Sequence, residues 1–166
     1  LRFHFYFCNI FQIKNQLCSH CKYDNYSTIL LLTNFYTLLY LEFDNPEKPI
    51  FFYINSTGTS WYSGDAIGFE TEAFAICDTI KYVKPPVHTI CIGQAMGTAA
   101  MILSAGTKGQ RASLPNASIV LHQPRSGARG QATDIQIRAK EVLQNKRTML
   151  EMLSLNTGRS PEQLAE

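Results

Sequence analysis

The sequence predicts an α/β fold in which helices cover a largely parallel sheet, and two observations predict it. The runs Ile50-Phe51-Phe52-Tyr53-Ile54 and Val87-His88-Thr89-Ile90-Cys91-Ile92 are almost unbroken in apolar character. That is how strands read when both faces are buried, as in parallel sheets. Around them, segments of helical period alternate with Gly and Pro punctuation, the strand, turn and helix succession that builds such a sheet.

Taken in order, a first helix is expected from about Ser27 to Phe43, with apolar positions at Leu31, Leu32, Phe35, Leu38, Leu39 and Leu41. It stops before Asn45-Pro46 because proline disfavours helical conformation at the residue that precedes it. The strand Ile50–Ile54 follows, then a helix from about Glu70 to Lys81 that ends ahead of Pro85-Pro86. The second strand, Val87–Ile92, delivers a turn over Gly93–Gly97 and a small-residue helix running through Ser104. Two more strands are expected near Gln110–Ser113 and Ile119–His122, and the glycines of the 125–131 segment read as an exposed connection. A long helix then opens at Thr133, where Thr133 and Gln136 have the spacing of a capping box, and Gly158 is a natural stop. Its stripe of Ile135, Ala139, Val142, Leu143, Met149, Leu150 and Leu153 suits a projecting helix, and the Ile135, Val142, Met149 and Leu153 face is expected to meet another subunit.

Bulk properties fit one domain: 166 residues, 45% of them hydrophobic, can supply a core. A formal charge of +2, from 15 basic and 13 acidic residues, is too small and dispersed for a nucleic-acid footprint. The longest apolar stretch, Ile29 to Leu41, is interrupted by polar residues and shorter than the roughly 20 residues that span a bilayer, so no membrane partner is expected. The five cysteines, Cys8, Cys18, Cys21, Cys77 and Cys91, lack framework spacing, which favours a reducing compartment without disulfides. Cys18, His20 and Cys21 offer fewer than the about four ligands that a zinc site needs, so no metal is expected. Residues 1–26, with Phe3, Phe5, Tyr6, Phe7 and Phe11 but no period or cap, are left as an unassigned N-terminal extension, either poorly ordered or the product of a wrongly assigned start. The start lacks the pattern of a secretory signal and opens on Leu1, which reads as a fragment. Residues 27–166 form the expected domain, cut short at its C-terminus.

The chemistry-bearing residues cluster in Cys91-Ile92-Gly93-Gln94-Ala95-Met96-Gly97-Thr98-Ala99-Ala100 and Leu121-His122-Gln123-Pro124. This pairing resembles the proteolytic subunit family of the Clp protease, peptidase family S14, whose Gly-Gln-Ala-Ala-Ser-Met-Gly motif is followed by His-Gln-Pro. Asp44–Pro49, Tyr53-Ile54-Asn55-Ser56, Gly106–Gly109, Ser113–Asn116 and Gly130–Ile135 carry the resemblance through residues 38–166. It implies the ClpP or crotonase-like fold of repeated β-β-α units, with the long helix as the projecting handle through which heptameric rings stack into a barrel.

Three departures bear on function. The family's serine falls on Gly97, which has no oxygen to attack a carbonyl. In Ser-His-Asp chemistry a histidine takes the hydroxyl proton, a carboxylate orients it and backbone amides hold the oxyanion. Thr98, one residue on, carries a hydroxyl, but a one-residue shift after a sharp turn sends its side chain elsewhere, and a misplacement of about 1 Å can cost on the order of 100-fold. Secondly, the family's Pro-Gly-Gly is here Thr57-Gly58-Thr59, so the oxyanion region of Gly58, Thr59 and Thr98 carries a β-branched residue where glycine gives close approach. The 23 residues Thr57–Thr79 exceed the family pattern by about nine, and the insertion's Trp61, Tyr62 and Phe69 suit either a contact loop or inert solvent-facing sequence. Thirdly, the family's acid falls beyond Glu166, so His122 is a retained histidine whose orienter is not demonstrated, more at home as a hydrogen-bonded structural residue. His88, in an apolar strand, is also read as structural.

Glycine at the nucleophile and an insertion after Ile-Asn-Ser are what the ClpR paralogues of cyanobacteria and plastids look like. The resemblance implies a non-catalytic subunit in mixed heptameric rings with catalytic Clp proteolytic subunits, fed unfolded protein by a hexameric Clp ATPase in the cyanobacterial cytoplasm or plastid stroma. The ATP would be consumed by that ATPase, and no cofactor is expected here because the chain has no phosphate-binding Gly-x-x-x-x-Gly-Lys-Ser/Thr loop. Two alternatives are an active serine or threonine endopeptidase using Thr98 or another hydroxyl, and a crotonase-fold acyl-CoA enzyme, since that fold also builds oxyanion holes from backbone amides.

Overall fold

The apolar runs that predicted the sheet form its two longest strands. The computed structural model describes residues 6–8, 24–58, 70–124 and 130–165. Its elements are β1 (Tyr6–Cys8), α1 (Asp24–Asp44), β2 (Ile50–Ser56), α2 (Glu70–Tyr82), β3 (Val87–Met96), α3 (Thr98–Ala105), β4 (Arg111–Ser113), β5 (Ser118–Val120), α4 (Ala132–Thr157) and α5 (Pro161–Ala165). All strand pairings are parallel, in the order β1-β2-β3-β4 with β5 also on β3. Phe52 and Arg111 both pair with Thr89, and Ser56 and Ile119 both pair with Ala95, so β4 and β5 share the edge of β3 opposite β2. This is the α/β arrangement that the sequence predicted. The backbone pairing of β1 with Phe52, Tyr53 and Ile54 gives residues 6–8 a place in the sheet that no periodic pattern announced.

Strand register explains which face is buried. Ile50 pairs with Val87, Phe52 with Thr89 and Ile54 with Cys91, and all six side chains are buried. The alternating row of Phe51, Tyr53, His88, Ile90 and Ile92 is only half-buried. The expectation of burial on both faces is therefore corrected: within this chain one face is fully covered. A parallel strand has apolar residues on both sides, but composition does not say whether the cover comes from the same chain. His88 lies on the half-buried face with its ring 4.9 Å from that of its cross-strand partner Phe51, tilted by 58°.

Helix α3 packs on β3 and β2 and is itself flanked by α2 and α4, while α1 packs on α2. Nearly all of α3 is buried, including Thr98, Ala99, Met101 and Ile102, because small residues at its start allow close approach to the sheet. Thr89, fully buried, donates its hydroxyl to the Leu103 carbonyl at 2.7 Å, tying helix to strand. Below it, Arg111 donates to the carbonyls of Ser104 and Asn156, each at 3.0 Å, and the Asn156 amide donates to Ser104 Oγ at 2.9 Å. These bonds lock the C-terminal turn of α4 onto α3 and β4.

The long helix departs from expectation at two points. It begins at Ala132 with Gln131 as its N-cap residue and no side-chain cap; the Asp134 N–H donates to the Gln131 carbonyl at 3.0 Å. Thr133 therefore lies within the first turn, where the Thr133–Gln136 capping box cannot form. Met149 and Leu153 are buried in this chain's own core, so they do not belong to a subunit-facing stripe. Residues 132–141 are all exposed, and the half of α4 that stands clear of the domain carries Ile135 and Ile137. The stop at Gly158 is as read: φ is 77° and its N–H donates to the Ser154 carbonyl at 2.7 Å.

Asn156→Ala removes a buried amide whose partner loses its donor, and should lower stability by about 1–3 kcal/mol. The urea midpoint should fall with an unchanged slope. Leu155→Ala, at a side chain 72% exposed, should change stability by less than about 0.5 kcal/mol.

Candidate functional site

The end of β3 brings the two motifs together. Between the pairs Ile54–Cys91 and Ser56–Ala95 the strand gains residues relative to β2, and this bulge precedes the pairing of Gln94, Ala95 and Met96 with Ser118, Ile119 and Val120. The chain then turns sharply at Gly97, with φ 54° and ψ −112°, and enters α3. The Gly97 N–H donates to the Val120 carbonyl at 2.8 Å, and the Gly97 carbonyl accepts from Met101 N–H at 3.2 Å. This strand-to-helix elbow is the backbone shape that exposes a nucleophile in many hydrolases, where a residue with a side chain holds it under strain. Glycine adopts it freely.

His122 comes from the segment just beyond β5, which ends at Val120 rather than at His122 as the sequence suggested. Its Nδ1–H donates to the Gln123 carbonyl at 3.0 Å. In a neutral imidazole that leaves Nε2 without a proton. A Cβ built on Gly97 would lie 2.6 Å from both Cε1 and Nε2 of His122. Gly97 and His122 are thus neighbours, and the ring reaches into the space where a side chain at position 97 would stand.

The oxyanion region is described in part. The Gly58 N–H donates to Ser56 Oγ at 3.0 Å, closing a small turn. Its φ is 73°, and a Cβ there would run into the Met96 carbonyl oxygen and lie 3.1 Å from Thr98 Oγ1. Glycine is required at this approach of two backbones. Thr98, 5% exposed, turns its hydroxyl toward Gly58, while the side-chain direction at position 97 points to His122. Thr59, Trp61, Tyr62 and Phe69 lie outside the described residues.

Among the described residues no thiol offers itself as a substitute nucleophile at this elbow. Cys77 and Cys91 are free and buried. Burial pushes the Cys77 thiol up to about 12, against a smaller opposing effect of Lys81, and also raises that of Cys91. The side chains of Cys8, Cys18 and Cys21 lie outside the described residues. Among the described residues no three His, Cys, Asp or Glu side chains converge as a metal site.

Sequence reasoning missed a cleft of about 170 Å³ beside the site, bounded by His122 and Pro124 on one side and by Lys146, Met149, Leu150 and Leu153 of α4 on another. Both apolar and polar side chains line it, Gln123 and Lys146 among the latter. The Met149, Leu150 and Leu153 spacing signalled an apolar helix face, but nothing in it said that the face turns back toward His122.

The elbow and the histidine beside it sit in a parallel α/β frame, and comparison with protein families shows which family that frame belongs to. The family model for Clp protease matches residues 25–166; the chain belongs to this family, and the match starts earlier than the motif resemblance at residue 38. A Clp protease proteolytic subunit-like protein of Synechococcus elongatus is 81% identical over 128 residues, covering 77% of this chain and 56% of the relative. A like-named protein of Synechocystis is 80% identical over 129 residues, 78% of this chain and 57% of the relative. The chloroplastic ATP-dependent Clp protease proteolytic subunit-related protein 4 of Arabidopsis thaliana is 48% identical over 137 residues, 82% of this chain and 44% of that protein. The chain thus spans about half the length of the curated relatives it matches. Among the described residues no helix is long and apolar enough to cross a membrane.

In the native protein at pH 8, Cys77 and Cys91 should resist iodoacetamide and react once urea unfolds the chain, as read by mass spectrometry. The sign for stability follows from the raised Cys77 value. Its contribution is full below the unfolded value of 9.0 and is lost as pH rises toward about 12, because only the unfolded thiol ionises in that window.

Proposed function

We propose that this chain is a non-catalytic, ClpR-type ring subunit of an ATP-dependent Clp serine endopeptidase, helping to wall the chamber in which unfolded proteins are degraded. The observation that carries the reading is the elbow: it has nucleophile geometry but glycine at its apex, with the His122 ring against the Gly97 backbone. A histidine can act as general base only on a hydroxyl or water within hydrogen-bond reach, and position 97 supplies no hydroxyl. Thr98 does not replace it, because its hydroxyl is buried beside Gly58. Family membership leaves the acyl-CoA alternative without a supporting observation.

In this reading the partners are catalytic Clp proteolytic subunits in mixed heptameric rings, a hexameric Clp ATPase that consumes ATP, and unfolded polypeptides. The cyanobacterial and chloroplast sources of its relatives support the cyanobacterial cytoplasm or plastid stroma as its place of work. The exposed Ile135, Ile137 and Leu143 on α4 support an assembly role, since an amphipathic helix stabilises the protein through the apolar surface it buries.

The chain at its natural length, purified without other subunits, should hydrolyse neither peptides nor casein. Robust turnover abolished by His122→Ala would overturn the non-catalytic reading.

Assembly has a separate test. Val142→Glu, on the half-buried flank of the handle, should release ring stacking before the fold melts, because an unpaired charge in an apolar interface costs on the order of several kcal/mol. Sedimentation of mixed complexes should show loss of the large particle while circular dichroism stays native. An unchanged particle with the variant incorporated at normal stoichiometry would refute the handle's role.

A further inference from the structure

We infer that the His122 imidazole occupies the volume that a side chain at position 97 would take, so that the elbow is closed by His122 itself and a serine at position 97 would not by itself create a nucleophile–base pair. The inference rests on the non-catalytic reading of this site.

Distances carry it. A hydroxyl paired with an imidazole needs heavy atoms about 2.6–3.2 Å apart, and the Cβ that bears the hydroxyl stands farther from the ring than the oxygen does. At Gly97 the Cβ position is already 2.6 Å from both Cε1 and Nε2, well inside the separation of about 3.5–4.0 Å that non-bonded carbons prefer. A serine in this elbow therefore has to displace the ring before its oxygen can pair with it.

Two bonds hold the closed state. The Gly97 N–H to Val120 bond of 2.8 Å fixes the elbow backbone. The Nδ1–H bond of 3.0 Å to the Gln123 carbonyl fixes the ring from its other nitrogen. Interiors are packed closely enough that a deleted side chain leaves a costly void unless a neighbour fills it. The ring is that neighbour, and the cleft of about 170 Å³ that it also lines is the room available to it when displaced.

The test compares thermal melts of the chain at its natural length with Gly97→Ala, His122→Ala and both changes together. Gly97→Ala carries a strained positive φ and a collision with the ring, and removing the ring relieves only the collision. The double variant should melt above the temperature obtained by adding the two single shifts; additive shifts overturn the inference. If Gly97→Ala does not fold, the unmodified chain is read by NMR: a nuclear Overhauser effect from His122 Hε1 to the Gly97 Hα protons is expected, and its absence overturns the inference. A fluorophosphonate that labels the unmodified chain would instead overturn the non-catalytic reading, so the two failures are distinguishable.

Discussion

The main-chain bond from the Gly97 N–H to the Val120 carbonyl, 2.8 Å long, fastens the end of β3 to β5, and the placement of both Gly97 and His122 follows from it. It can form because β3 is held on both edges: β2 pairs along one side and β4 and β5 share the other. Helix α3 is held in turn by Thr89 from the sheet, and at Ser104 by Arg111 from β4 and Asn156 from α4. The elbow backbone is therefore held from several sides by the frame around it.

With glycine at its centre the elbow is held without strain. A residue with a side chain held at φ 54° would store strain of order 1–3 kcal/mol, and glycine stores little. Glycine at this apex leaves the elbow relaxed and position 97 without a hydroxyl.

Much of this was legible in the sequence, for physical reasons. The apolar runs at Ile50–Ile54 and Val87–Ile92 marked strands because few other environments accept such segments, and Asn45-Pro46, Pro85-Pro86 and Gly158 marked helix limits through backbone restrictions that act locally. The site pair was legible because elbow and histidine each lie in short motifs. What stayed hidden depends on neighbours distant in the chain. Burial of one sheet face but not the other, the inward turn of Met149 and Leu153, the pairing of residues 6–8 with β2 and the cleft beside His122 are set by tertiary packing. The Thr133–Gln136 pattern failed because the helix starts one residue earlier, at Ala132, which no capping signal announced.

The central claim is that this chain works as a non-catalytic member of an assembly whose other members cut. Native mass spectrometry of the complex purified through this chain from its source organism tests it most directly. The account predicts rings that contain this chain together with Clp proteolytic subunits bearing the active serine. Rings made of this chain alone that degrade protein would contradict it.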